Sequence, residues 1–177
     1  MYRQPLLSLL YQHTPSDFNE KAMTEATIAF VEQHPDCFER SLLIGHVTGS
    51  AWIVSPDRQQ TLLIHHRKLD RWLQPGGHAD GDPDVAAVAL KEAQEETGLQ
   101  SVRLLSPAIF DVDVHTIPAR NAVPEHLHYD IRFLFEADPE DVFGASDERT
   151  NIQWFSLEKA TSIADSESIL RLLRKKI

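Results

Sequence analysis

The sequence predicts an α/β fold, one mixed sheet covered by helices, with a helical extension at its N-terminus. Three observations predict it. Helical patterns stand near the start, over about 83–97 and at the end of the chain; β-branched and aromatic segments lie between them; no repeat or low-complexity linker divides the chain. The 177 residues suffice for one well-buried domain, and 42% apolar with 25% charged residues is ordinary globular composition.

Taken in order, residues 2–12 and about 17–34 read as two helices. Ser16 is positioned to cap the second, and Ala22, Ala26, Ile28, Ala29, Phe30 and Val31 recur near helical spacing. The segments 44–55 and 60–67 read as a β-hairpin across the turn residues PDRQ. Gln74 to Asp84, QPGGHADGDPD, is so poor in apolar side chains that it reads as a surface loop. The helix at 83–97 follows, with Asp82 as cap, Pro83 at its first position and Gly98 ending it. Strands are expected at 102–114, 127–137 and 151–156. A last helix runs from about Ser166 into ILRLLRKKI, whose cations suit the negative end of the helix dipole.

On the helix at 83–97, Ala86, Leu90, Ala93 and Thr97 share one stripe, the natural core face. Glu92, Glu95 and Glu96 converge on another, at spacings of three and four, beside Val85, Val88 and Ala89 rather than lysines. Like charges so placed repel by a few tenths of a kcal/mol per pair, and a hard divalent cation with a preference for oxygen ligands relieves that cost. A solvated helix surface is the plain alternative. The two glycines upstream argue against it, because Gly76 and Gly77 let the backbone approach a metal or a phosphate closely.

Residues 76–99 resemble the box of the Nudix hydrolases: Gly, five residues, Glu, seven residues, then Arg-Glu-apolar-x-Glu-Glu-x-Gly-apolar. The second half is Lys91-Glu92-Ala93-Gln94-Glu95-Glu96-Thr97-Gly98-Leu99, and Gly77 lies at the matching distance upstream. Two positions depart. The upstream Glu falls on Pro83, for which Gly81-Asp82 is the nearest substitute, and the box Arg is Lys91, which keeps the charge but not the bidentate fork. The resemblance implies an α/β/α sandwich over residues 41–177 with 1–40 as the extension. It also implies Mg²⁺- or Mn²⁺-dependent hydrolysis of a nucleoside diphosphate linked to another moiety. Glu95, Glu96 and the Gly76 carbonyl are the implied metal ligands, and Glu92 a further ligand or a base. The family's additional acid outside the box falls on Glu148, or second on Glu125. An isomerase of the isopentenyl-diphosphate type and a catalytically silent Nudix-like binding module are the competing readings. The first is disfavoured because Cys37 lies away from the box, the second because all three glutamates are kept.

Around the box, Gly77, His78, His128 and Arg67 are the candidate substrate contacts, Arg67 within a cluster with Lys68 and Arg71. His126, His128 and Asp130 alternate on one face of a strand and are placed to line a cleft, whereas the adjacent His65 and His66 point to opposite faces. Trp52, Trp72 and Trp154 read as core. The formal net charge of −10 argues against nonspecific nucleic-acid binding. One cysteine excludes an internal disulfide, and no stretch approaches a signal-peptide core or a membrane span, so the expected location is the cytoplasm. The sequence leaves the oligomeric state open, a homodimer included.

Overall fold

Ten residues without a formal charge, Gly45–Val54, form the strand around which everything else is arranged, and all ten are buried. The computed structural model describes residues 2–66, 69–141 and 152–177. Helices α1 (Gln4–Gln12) and α2 (Phe18–Gln33) precede this strand, β1. Strands β2 (Gln60–His66), β3 (Arg71–Leu73) and β4 (Gly76–His78) lead into α3 (Val85–Thr97). Then come β5 (Arg103–Leu104), β6 (Asp111–Ile117), β7 (His126–Glu136), β8 (Ile152–Ser156), α4 (Leu157–Ile163) and α5 (Glu167–Arg174).

The sheet is mixed. On one side β1 runs parallel to β7, from Gly45↔Leu127 to Val54↔Glu136. Its other edge is shared: β2 pairs at Val54↔Thr61, while β4 pairs antiparallel through Thr48↔His78 and Ser50↔Gly76. Strands β3 and β8 continue from β2, and β5 and β6 from β7. Because side chains alternate along a strand, β1 feeds two cores. Val47, Ala51 and Ile53 pack with Ile131, Phe133 and Phe135 beneath α1, α2 and α3; Trp52 and Val54 pack with Phe155, Ala160, Ile169 and Leu172 beneath α4 and α5. Gly49 faces α3, and a β-carbon there would meet the Val85 carbonyl at 2.7 Å, so a side chain at this position would lift the helix off the sheet.

Several local expectations are corrected. The cap of α2 is Asp17, which accepts from the Glu20 N–H, while Ser16 donates both its N–H and its hydroxyl to Glu20. Ala22, Ala26 and Ala29 are exposed; Thr24 and Thr27 are buried instead, each returning its hydroxyl to a carbonyl four residues back. Asp84, not Asp82, caps α3, accepting from the Ala87 N–H, and Asp82 accepts from the Asp84 N–H. The helix therefore begins after Pro83. Its buried residues are Val85, Val88, Ala89, Ala93 and Thr97, with Ala86 and Leu90 packed at the margin, so the core stripe runs directly beside the glutamates. The loop expected at 74–84 contains β4, held because β1 has an unpaired edge to offer the two glycines. The strand expected at 102–114 is interrupted between Leu104 and Asp111, and α4 fills a stretch the sequence left unassigned.

The capping correction sets a prediction. Asp84→Ala is expected to cost about 0.5–2 kcal/mol of stability, and Asp82→Ala less, because only Asp84 satisfies an N–H inside the first turn of α3. Equilibrium urea denaturation of the two variants ranks them; equal costs would contradict the assignment.

Candidate active site

The carboxylates of α3 reach the sheet at β4. Glu96 Oε2 accepts from the Gly76 N–H at 2.9 Å, and the Glu92 carboxyl lies against Gly77 so closely that a β-carbon there would fall inside it. Lys91 stands one turn before Glu95, 3.8 Å from it on an exposed face. Loss of solvent around the carboxylate pushes Glu96 up to about 7; the Gly76 N–H opposes that, and the charges of Glu92 and Glu95 add to it. The outer edge of Glu96 remains in solvent, which screens part of this effect. Glu92 is raised as well, by burial first and then by Glu95. The carboxylates thus crowd one another, in oxygen chemistry suited to a hard divalent cation.

Gly77→Ala tests this contact. The group displaced is the flexible end of a side chain, so the change in stability should stay below about 1 kcal/mol. Turnover should nonetheless fall, by up to about a hundredfold, because an ångström of misplacement at a reacting centre has that effect. Measured kcat and Tm separate the two; a variant with full activity would place Glu92 outside the chemistry.

The face of the sheet turned away from α3, opposite to the one Gly49 and Gly77 present to the helix, carries histidines. The pairing of β1 with β7 sets His46 beside His128, and β4 brings His78 across Thr48. Their ring centroids lie 4.8–5.1 Å apart, with His126 and His115 on the margin. Burial, and then the neighbouring charges, push His46 down to about 4 and His128 down to about 2, and lower His78 as well, so the rings are neutral at pH 7. Deeper on this face Asp130 accepts from Thr48 Oγ1 at 2.9 Å, Ser50 Oγ at 2.7 Å and Arg132 Nε at 2.8 Å. Beyond it, Arg132 and Arg171 bridge Asp111 and Asp113, and Lys175 joins Asp111 to Glu20.

The structure brings Gly76, Gly77, Glu92 and Glu96 together, with Glu95 on the outer turn of the same helix, while His78 and His128 lie on the opposite face of the sheet. Gly76 also donates its N–H to Glu96, a role the sequence did not suggest. Arg67, Lys68 and Glu148 lie outside the described residues. Glu125 is exposed just before β7, and Arg71 is tied to Asp165 at 2.8 Å. Trp72 packs edge-on against Phe155. Two residues were missed. His46 shares its strand parity with Thr48 and Ser50, a signal present in the sequence but mute until the partner strand is known. Arg40, paired with Asp80 and acting on the charge of both Glu92 and His78, carried no signal.

A carboxylate-bearing helix laid on a mixed sheet beside paired glycines is an arrangement that the Nudix hydrolases, which act on diphosphate linkages, share. Residues 46–174 match the NUDIX domain, and the chain belongs to the Nudix family. It is 28% identical over 113 residues to the asymmetrical bis(5'-nucleosyl)-tetraphosphatase of Rattus norvegicus, covering 63% of this chain and 70% of that one. It is 34% identical over 87 residues to the RNA pyrophosphohydrolase of Acidiphilium cryptum, covering 49% of this chain and 42% of that one. Among solved structures, the C. elegans Ap4A hydrolase binary complex superposes with a TM-score of 0.57 at 22% identity, over 72% of this chain and 92% of that one. A Nudix hydrolase of Clostridium perfringens superposes with a TM-score of 0.52 at 23% identity, over 72% and 93%. These likenesses confirm the sandwich expected from the sequence.

Proposed function

We propose that the chain is a divalent-metal-dependent pyrophosphohydrolase that cleaves the diphosphate of a nucleoside diphosphate linked to another moiety. The observation that carries this is the crowding of the α3 carboxylates against the Gly76-Gly77 backbone. The donor set fits Mg²⁺ or Mn²⁺: Glu92, Glu95 and Glu96 would hold the ion, with Gly76 alongside. Such an ion, when bound, neutralises phosphate charge and lowers the pKa of its water. The chain's own contribution is to fix the geometry. Gly76 N–H orients Glu96, Gly77 leaves room for Glu92, and burial and the Glu95 charge raise the pKa of Glu92, which strengthens it as a proton acceptor. Gly77 also leaves the backbone open to a phosphate. Glu148 remains the proposed additional acid.

The similarity to a bis(5'-nucleosyl)-tetraphosphatase and to an RNA pyrophosphohydrolase supports a nucleotide as one part of the substrate and leaves the second moiety open. The isomerase reading loses ground, since Cys37 is fully buried and burial pushes its thiol up to about 11. No described helix is long and apolar enough to cross a membrane, in keeping with a proposed cytoplasmic enzyme. The test is turnover of a panel with Mg²⁺ or Mn²⁺: dinucleoside polyphosphates, ADP-ribose, nucleotide sugars, a nucleoside diphosphate-choline and oxidised nucleotides. A nucleoside phosphate and a phosphorylated second product are expected from at least one; a silent panel, with substrates bound but not cleaved, would favour the binding module.

A further inference from the structure

Five histidines meet on the face formed by β1, β4, β6 and β7, and two are accounted for. His115 Nδ1 lies 3.0 Å from Asp113 Oδ2, and His126 Nδ1 lies 2.9 Å from the Pro124 carbonyl. The other three are not. One ring nitrogen from each of His46, His78 and His128 lies within 4.8 Å of the others. Among the described residues, neither nitrogen of His46 nor Nε2 of His128 meets a partner at full hydrogen-bond geometry, the Leu42 carbonyl being the one backbone group that acts on the His46 ring. Buried imidazole nitrogens left without partners are costly, and a bound ion would satisfy one on each ring. His46 is 3% exposed, while His78 and His128 are half-buried, so the cluster is closed below and reachable from above.

We propose that His46, His78 and His128 bind a first-row transition ion of the Zn²⁺ type through one ring nitrogen each, at a site separate from the glutamates of α3, with a fourth position open to solvent. Nitrogen ligands select such an ion over Mg²⁺, whereas the glutamates have the opposite preference. A tetrahedral ion with Zn–N bonds of ~2.0–2.1 Å needs its nitrogens about 3.3 Å apart, so ring rotations draw these three together by no more than about 1.5 Å. Three protein ligands and one open position is the pattern of catalytic rather than structural zinc. The ion ties β4 to β1 and β7. Since Gly76 and Gly77 are the other residues of β4, it also fixes the backbone on which Glu92 and Glu96 rest.

The test is titration of the chelator-treated full chain with Co²⁺ in excess Mg²⁺, which occupies the oxygen site. One Co²⁺ per chain is expected, with the intense visible bands of a tetrahedral, nitrogen-ligated ion. His78→Gln and His128→Gln should each weaken binding by more than the ~10–100-fold that losing even an outer-shell partner causes. The Glu95→Gln, Glu96→Gln double variant should keep the bands and bind within about threefold of wild type. Absence of bands in the wild-type protein overturns the proposal however the variants fold. Bands that survive both histidine substitutions overturn it too, as do bands lost with the glutamates, which would put the ion on α3.

Discussion

Glu96→Gln should lower kcat/KM by at least about a hundredfold, some 2.7 kcal/mol of transition-state stabilisation, while the protein stays folded. The amide oxygen can still accept the Gly76 N–H, so the link from α3 to β4 survives; what disappears is the charge. Glu96 sits with Glu92 and Glu95 in mutual repulsion, so the substitution relieves the metal-free protein, whose Tm should equal or exceed that of wild type. The response to Mg²⁺ should move the other way. A ligand that binds only the native state stabilises it by mass action, about 2.7 kcal/mol at a hundredfold excess over its Kd. Wild-type Tm should therefore rise with Mg²⁺, and rise again with a non-hydrolysable nucleoside diphosphate analogue. Both increments should shrink in the Glu95→Gln, Glu96→Gln double variant. Activity within about threefold of wild type at limiting Mg²⁺ would remove Glu96 from the site, and an undiminished Mg²⁺ shift in the double variant would place the cation elsewhere.

Arg171→Met should be the most destabilising single change considered, costing about 3–5 kcal/mol, as expected when one member of a buried ion network is removed. Its guanidinium is 3% exposed and reaches Asp111 Oδ1 and Oδ2 at 2.8 Å and Asp113 Oδ1 at 2.9 Å. For a chain of this size the loss corresponds to a drop of roughly 6–20 °C in Tm. The pH dependence follows from Asp113. Burial would raise its pKa, but the Arg132 charge and the hydrogen bonds of His115 and Arg171 hold it well below the usual carboxylate range; Glu20 is likewise held down, against burial, by His13, Lys175 and Ser16. Groups with depressed native pKa values contribute stability that is present above their unfolded values, 3.8 for Asp113 and 4.5 for Glu20, and lost as pH falls through the native ones. Acid should thus destabilise wild type below about pH 4.5. Without Arg171 the native pKa of Asp113 rises toward its unfolded value, so Arg171→Met should lose less stability on acidification than wild type, and the gap between the two proteins should narrow as pH falls. A Tm within about 2 °C of wild type at pH 7 would show that Arg132 and Lys175 compensate fully.

The same arginine shows where sequence reading stops. From the sequence, the cations of ILRLLRKKI belong to a helix end and its dipole, a local argument that holds for exposed Arg174. Arg171 and Lys175 instead turn inward to Asp111 and Glu20, 60 and 155 residues away, and no periodicity carries that information. Likewise QPGGHADGDPD lacks the apolar alternation of a strand, yet Gly76–His78 pair with β1, because an unpaired edge beside them satisfies their backbone better than solvent can. By itself the sequence determined the helix that carries Glu92, Glu95 and Glu96, its end at Gly98, the strands β1, β2, β7 and β8, and the glycines that leave the glutamates room. These rest on spacing, capping and turn chemistry within a few residues of one another. Only the tertiary structure decided that Gly76 orients Glu96 and that β1 lies parallel to β7 so that His46, His78 and His128 converge. It likewise decided that Asp111 and Asp113 are neutralised from α5. Each of these depends on strand order and register, which bring distant residues to one point and which local spacing does not encode.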